Sequence, residues 1–447
     1  MSGELKNSKD WYLSVFPSFE KKLNGGSKSF LHGIRKEALA QLAEMSFPTL
    51  RNEDWKYTDV SPLLKNNFIP AASLEQVSFT GNEIEKYLFK DFDFHLLVFI
   101  NGVYSTELSK VGALPKGAVI SGLSKASKEN PELIRRYTGK STVRDNAFNT
   151  LNAAYAVDGL FIYVPDGKII EKPVQVLFIN SSPDKEILSV PKNLLVAGND
   201  SNVSVIASYA GSGKNGYFSN IVSDLFIGER ATVDFCKIQE ENDNSYHIEK
   251  VQAYQQKGSV YNHFNIMFGA AISRNDINSV LEGENTETHY YGLYLANGNR
   301  LVDNHTFVDH AKPNCMSNEL YKGILDDESR GVFNGKIIVR QDAQKTNAYQ
   351  KNKTILLSKK AKIDTKPQLE IFADDVKCSH GATVGQLDEE SEFYIRSRGI
   401  PQEIAKSMLI RAFANDVVET LKIDALKEQL NHKIFEHLNR VEIENKL

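Results

Sequence analysis

The chain has 447 residues, 41% of them hydrophobic and 25% charged, with a formal net charge of -4. That length predicts two or three structural units of about 100–200 residues, and the composition is that of a globular protein. The near-balanced charge, without a long basic stripe, excludes a nucleic-acid-coating protein.

No run approaches ~18 consecutive apolar residues, so neither a spanning helix nor a membrane partner is expected. Residues 1–23 mix acidic and basic side chains with no apolar segment before a small-residue cleavage site. They predict neither a secretory signal nor a transit peptide, and hence a cytoplasmic protein.

A first region, 1–155, is expected to be helical and mixed. Leu31, Ile34, Ala38, Leu42 and Met45 recur every three or four residues and form one helical face. Phe47-Pro48 ends that helix, because a residue before proline is pushed out of the α region. His95-Leu96-Leu97-Val98-Phe99-Ile100 then reads as a strand, closed by the turn pair Asn101-Gly102.

The second region, 156–398, reads as β. Phe161-Ile162-Tyr163-Val164 and Val174-Gln175-Val176-Leu177-Phe178-Ile179 each run into turn chemistry. Polar clusters beginning at Gly198, Gly228, Gln256 and Gly283 recur at a little under thirty residues, each before an alternating strand, and the register then drifts to Ser358. A unit of that size suits a parallel β-helix; by periodicity alone a large β-sandwich remains equally open.

In the third region, 399–447, Pro401 suits the first turn of a helix. Ala405, Met408, Leu409, Ala412, Phe413, Val417 and Leu421 form one apolar stripe. Ile423, Leu426, Leu430, Ile434, Leu438 and Val441 form another. Such stripes usually pack on their own domain and less often receive a partner.

The three cysteines, Cys236, Cys315 and Cys378, are odd in number and show no C-x-x-C spacing. That fits a reducing compartment and argues against a self-contained zinc or cluster site. The sharpest candidate is Cys378 with His380. Two apart on a strand, they share a face and can ligate one soft or borderline metal. Two ligands fall short of the four a closed site needs, so the pair is half a site or simply a thiol beside a histidine. A Cys/His nucleophile dyad oriented by Asp374 or Asp375 is less favoured, because no oxyanion-hole motif accompanies it. Asp303-Asn304-His305 and Asp309-His310, near Cys315, match no compact metal site and read as a polar strand edge. Asp326-Asp327-Glu328 reads as a solvated turn. Gly211-Ser212-Gly213-Lys214 lacks the spacing of a phosphate loop, so no bound nucleotide is expected.

Several separated motifs together resemble the SufB/SufD family of SUF-system iron–sulfur cluster assembly proteins. The longest runs from Asp364-Thr365-Lys366-Pro367 through Asp374-Asp375-Val376-Lys377-Cys378-Ser379-His380-Gly381-Ala382-Thr383 to Phe393-Tyr394-Ile395-Arg396-Ser397-Arg398-Gly399-Ile400. Phe333-Asn334-Gly335-Lys336-Ile337 and Ala343-Gln344-Lys345-Thr346-Asn347-Ala348-Tyr349-Gln350 fit it as well. Arg51-Asn52-Glu53-Asp54-Trp55-Lys56-Tyr57-Thr58-Asp59 is similar to a signature of the SufD branch. Tyr349-Gln350-Lys351-Asn352-Lys353-Thr354 lacks the cluster-related cysteine that SufB proteins carry in the corresponding region.

The resemblance implies a right-handed parallel β-helix flanked by N-terminal and C-terminal helical parts. It implies a non-catalytic scaffold that forms a transient Fe–S cluster at an interface with a SufB-like paralogue. His380 matches the family histidine there, and Cys378 a neighbouring cysteine. A SufC-like ABC ATPase would dock on the C-terminal helices around Pro401, Met408, Leu409 and Phe413. A cysteine desulfurase would supply sulfur indirectly, and the isolated chain could form a homodimer. Two alternatives stand beside this: a SufB-like subunit that accepts sulfur on its own cysteine, and a β-helix carbohydrate lyase or hydrolase using Asp303, Asp309 or Asp326.

Overall fold

A computed structural model describes residues 2–23, 30–138, 145–182 and 184–444, with side chains described from 8 to 438. From Lys192 onward the chain winds as a parallel β-solenoid, each rung giving one strand to each of two sheets. The strands Lys192–Ala197, Tyr217–Ile227, Tyr246–Gln255, Ile272–Leu281, Leu301–His310, Arg330–Val339 and Lys362–Ile371 form one sheet. The strands between them, ending with Asn347–Leu356 and Lys377–Gly385, form the other. Sandwich and solenoid are thereby separated: consecutive neighbours in each sheet pair in parallel, one full rung apart.

The irregular repeat in the sequence is the rung. Thr232 pairs with Val260, Val260 with Glu287, Glu287 with Met316, Met316 with Asn347 and Asn347 with Lys377, so these rungs span 27 to 31 residues. What keeps the stack aligned is one corner. Asp200, Arg230, Gly258, Asn285, Asn314 and Lys345 all take left-handed backbone, with φ of 54° to 66°. The N–H of each donates to a carbonyl of the next rung's corner at 2.6–3.4 Å. Asn, Asp and Gly tolerate that conformation, so the polar clusters read from the sequence are the ladder's steps.

The strand His95–Ile100 appears as expected, and Asn101 and Gly102 (φ 53° and 81°) turn it into the antiparallel strand Val103–Lys110. The helix Phe30–Glu44 buries Ala38 and Leu42 and stops short of Phe47-Pro48. With the helices Ser2–Lys21 and Ala147–Tyr155 it covers the outer face of the first sheet, packing against Leu188, Phe218 and Ile248. The helices Gln402–Val418 and Asp424–Glu444 cover the outer face of the second sheet, over Phe264, Ile266 and Leu293. No helix among the described residues is long and apolar enough to cross a membrane.

One detail differs from expectation. The buried face of Gln402–Val418 is Ala405, Ile410, Ala414, Val417 and Val418; Met408 and Ala412 point to solvent, while Leu409 and Phe413 are half-buried. The helix meets its sheet along i, i+4 rows that pass beside the stripe read from the sequence. In the last helix Leu426, Leu430 and Ile434 are buried as expected; the Val441 side chain lies outside the described residues.

Candidate functional site

The second sheet ends at Lys377–Gly385, the last strand of the solenoid, paired on one side only with Asn347–Leu356. Cys378 stacks on Ala348 and His380 on Gln350. Ala348 and Gln350 are buried in the lumen, so Cys378 and His380 occupy its final, open rung. Cys378 is half-buried and His380 exposed. Burial raises the Cys378 thiol above its ordinary value, partly offset by a hydrogen bond with the Ala348 backbone. A metal binding there therefore displaces a proton. Among the described residues no three His, Cys, Asp or Glu side chains converge on one metal position.

The floor beneath His380 is built from residues that the sequence did not flag as a site. Gln350 Nε2 donates to Glu319 Oε2 at 3.2 Å, and Thr306 Oγ1 donates to the same oxygen at 2.6 Å. Burial, with no cation bonded to it, pushes the Glu319 carboxyl up to about 7. Gln350 fits because Gly335 faces it across the lumen: a Cβ at Gly335 would lie 2.2 Å from Gln350 Nε2 and 2.7 Å from its Cδ. The glycine of the Phe333-Asn334-Gly335-Lys336 motif is thus a packing signal. Gly335→Ala is expected to cost about 1–3 kcal/mol in urea unfolding and to shift Gln350 off Glu319.

The other acidic and histidine positions serve the scaffold. Asp303, Asn304 and His305 lie on a central strand, not a polar edge as the sequence suggested. Asp303 is fully buried under the 51–59 motif, with Arg274 Nη1 donating to it at 2.7 Å, and Asn304 points into the lumen. Asp309 pairs with Arg340, and His310 Nε2 contacts Ser317 Oγ at 2.9 Å inside the solenoid. Asp326, Asp327 and Glu328 do form a turn, with Glu328 paired to Lys360. Cys236 lies under the C-terminal helices and Cys315 beside Thr286; both are buried, and burial raises both thiols.

The signature at 51–59 is a clamp on the first sheet. The Arg274 guanidinium stacks 3.7 Å from the Trp55 ring and donates to the Asp54 carbonyl at 2.6 Å. Thr58 Oγ1 donates to Asp303 Oδ2 at 2.5 Å, and Glu53 pairs with Lys366 on the strand Lys362–Ile371. Burial opposes ionisation of Asp303, but the neighbouring His305 and Arg274 hold its carboxyl down at about 2.

Comparison with known proteins gives this arrangement its context. Residues 178–413 match the SufBD core domain of SUF system FeS cluster assembly, and residues 6–176 match the SufBD protein N-terminal region. The chain belongs to the SufBD family. A Synechocystis sp. protein described as an iron-sulfur cluster assembly SufBD family protein is 33% identical over 416 residues, 91% of each chain. The Escherichia coli iron-sulfur cluster assembly protein SufD is 31% identical, covering 90% of this chain and 92% of its own. The Bacillus subtilis protein of the same name is 27% identical with the same coverage. In this SufBD chain, then, the solenoid is the shared core, and its open end carries the longest motif.

Proposed function

We propose that this SufBD chain is a non-catalytic scaffold that holds part of a nascent Fe–S cluster at its open rung, with the remaining ligands supplied by a SufB-like partner. The observation that carries this reading is the uncovered end of the solenoid, where Cys378 and His380 share the last lumen-facing positions. The solenoid's sides are covered by helices; its end strand has a free edge and an exposed Val384, and Phe372 is exposed just past the last strand of the other sheet. A free strand edge invites an added strand.

The two edges are not equivalent. Lys377 N donates inward to Thr346, so by alternation Cys378, His380, Ala382 and Val384 direct their backbone groups outward. On the other sheet Lys362 and Phe372 donate inward, which puts Pro367 at an outward position, where it has no N–H to offer. This favours a partner strand on the Lys377–Gly385 edge. Iron, sulfide and the cluster are cargo here. The neutral imidazole of His380 is a suitable iron ligand on a rigid strand, and the Cys378 thiolate a suitable second.

For the ATPase, Met408 and Ile404 on the helix Gln402–Val418, with Phe393 and Tyr394 on the helix Glu389–Arg396, form exposed apolar ground beside Pro401. Phe413 is engaged within the chain, where Lys322 donates to its carbonyl and lies 4.3 Å from its ring; Leu409 flanks it half-buried. ATP-driven movement of that subunit would then separate the two halves of the cluster site. A reducing compartment suits the three free thiols.

The test is reconstitution of the complex with its partners, reading iron and sulfide per complex. His380→Ala is expected to reduce both several-fold, and Cys378→Ser to do so less. Unchanged assembly with His380→Ala would remove that residue from the mechanism. As an independent check on docking, Met408→Glu should weaken ATPase capture by tenfold or more, about 1.4 kcal/mol. Its exposure predicts a thermal midpoint like that of the parent chain.

A further inference from the structure

The N-terminal helices hold one buried cation without a counter-charge. Arg35, on the helix Phe30–Glu44, is only 6% exposed. Its Nε donates to the Ala156 carbonyl at 2.8 Å, at the C-terminal end of the helix Ala147–Tyr155. That bond suits a guanidinium, because the last carbonyls of a helix carry partial negative charge. It uses one edge of the group. Nη1 is buried and has no hydrogen-bond partner, and no carboxylate pairs with Arg35 among the described residues. Burial lowers its pKa to about 10, with no neighbouring anion to offset the effect. Charges this deeply buried are ordinarily paired.

Arg35 lines a cavity of about 80 Å³ between that helix, the helices Leu123–Glu129 and Ala147–Tyr155, and the solenoid at Lys192 and Val222. A buried water takes roughly 10–15 Å³ of such space, so about five to eight water-sized groups fit. The wall is mostly apolar, with Leu123 and Val222 at its floor and Leu31, Ile34, Ala153 and Val157 half-buried at its open side. Asn152 adds a second unpaired atom. It is fully buried, its Nδ2 donates to the Pro191 and Asn220 carbonyls at 2.9 and 2.8 Å, and its Oδ1 has no partner. The amide cannot turn without losing both bonds. The other two charges in the wall are engaged: Asp158 accepts from the backbone N–H groups of Tyr104, Ser124 and Gly159, and Lys192 Nζ lies 2.5 Å from Asp224 Oδ2. The cavity therefore offers one uncompensated cation and one free acceptor among apolar side chains.

We propose that this cavity binds a small 2-hydroxycarboxylate of about three or four carbons, its carboxylate on Arg35 and its hydroxyl donating to Asn152 Oδ1. The aliphatic end lies on the apolar wall. A flat carboxylate matches the planar N–H groups of a guanidinium. Phosphate would leave oxygens facing Leu123 and Val222 without donors, which is costly. Water would serve Asn152 but leave the charge of Arg35 without an anion. A bound acid joins the two N-terminal helices to the start of the solenoid and so stabilises the folded chain by mass action. Cys378 and His380 take no part, so the site stands whether or not the open rung holds a cluster.

Titration calorimetry and thermal unfolding of the full chain, with L-lactate as probe, test the site. L-Lactate is expected to bind once per chain and to raise the thermal midpoint as its concentration rises. Propionate, which lacks the hydroxyl, should bind about tenfold more weakly, and phosphate should not compete. Arg35→Met should weaken L-lactate binding tenfold or more. It replaces an unpaired buried charge with an apolar side chain, so the variant is expected to fold. Should it not, Ala153→Leu fills the cavity with Arg35 in place and should abolish binding. A parent chain that binds no L-lactate, or a folded variant that binds it as the parent does, overturns the proposal. Phosphate binding more tightly than L-lactate overturns it as well. So does a crystal structure of the chain grown with L-lactate that shows only ordered water beside Arg35.

Discussion

Arg274→Met is expected to destabilise the protein by about 3–5 kcal/mol, because it strands buried carboxylates that the guanidinium now neutralises. Arg274 has 2% of its side chain exposed and Asp303 none, and Asp276 lies 3.0 Å away on the same guanidinium. The contact with the Trp55 ring, desolvated as it is, adds roughly 2 kcal/mol to what is lost. Urea unfolding measures the total. Limited proteolysis gives the location: residues 51–59 should become the earliest cleavage site, since Trp55 and the Asp54 carbonyl lose their anchor. The double variant Arg274→Met/Asp303→Leu should recover part of the loss, because it removes the fully buried carboxylate and leaves only Asp276, whose side chain is 12% exposed, without its guanidinium. A double variant as unstable as the single one would mean that packing on Trp55, not charge, dominates.

The second large effect is acid destabilisation that begins just below pH 6.5. Burial lowers His263 to about 3 and His310 to about 4, so both stay neutral in the fold well below the pH at which the unfolded chain protonates them. With folded values below unfolded ones, the unfolded state binds more protons as pH falls, and each histidine removes about 1.4 kcal/mol per pH unit. Glu319 works in the opposite sense. Its folded value, about 7, is above the unfolded one, so its buried charge costs stability above neutrality, and that cost fades as pH falls toward ~4.5. Two protons against one leave a net loss of about 1.4 kcal/mol per unit, roughly 3 kcal/mol between pH 6.5 and 4.5.

Asp303 and Glu249, each held near 2, keep their contribution over that window and lose it only below ~4. Urea midpoints across pH 4.5–6.5 check the slope. His263→Phe should flatten it, with Phe taking the imidazole's place against Phe235. An unchanged slope in that variant would assign the acid limb to other groups.

Much of the architecture was legible along the chain. The helix Phe30–Glu44, the strand His95–Ile100 and the turn at Asn101 and Gly102 follow from local rules of period, proline and left-handed backbone. The polar clusters near Asp200, Arg230, Gly258 and Asn285 marked the rungs, because every rung must turn the same corner, and most place Asp, Gly or Asn there. Their spacing could not separate solenoid from sandwich. Strand direction is decided by what each strand pairs with, and that is non-local.

The offset on the helix Gln402–Val418 has the same origin. Ala405, Met408 and Ala412 form a stripe by spacing, but the ridges of Phe264, Ile266 and Leu293 select a face that takes Ile410 and Ala414 and leaves Met408 outside.

At the site, residue types and spacing determined by themselves that Cys378 and His380 share a face and fall short of a closed ligand set. Only the tertiary structure decided that this face is the open end of a lumen, with Gln350, Glu319 and Gly335 beneath it. The physical reason is the distance in sequence between stacked neighbours. Two positions apart on one strand is visible in a string of letters, whereas His380, Gln350 and Glu319 are each about thirty residues apart and meet only when the rungs stack.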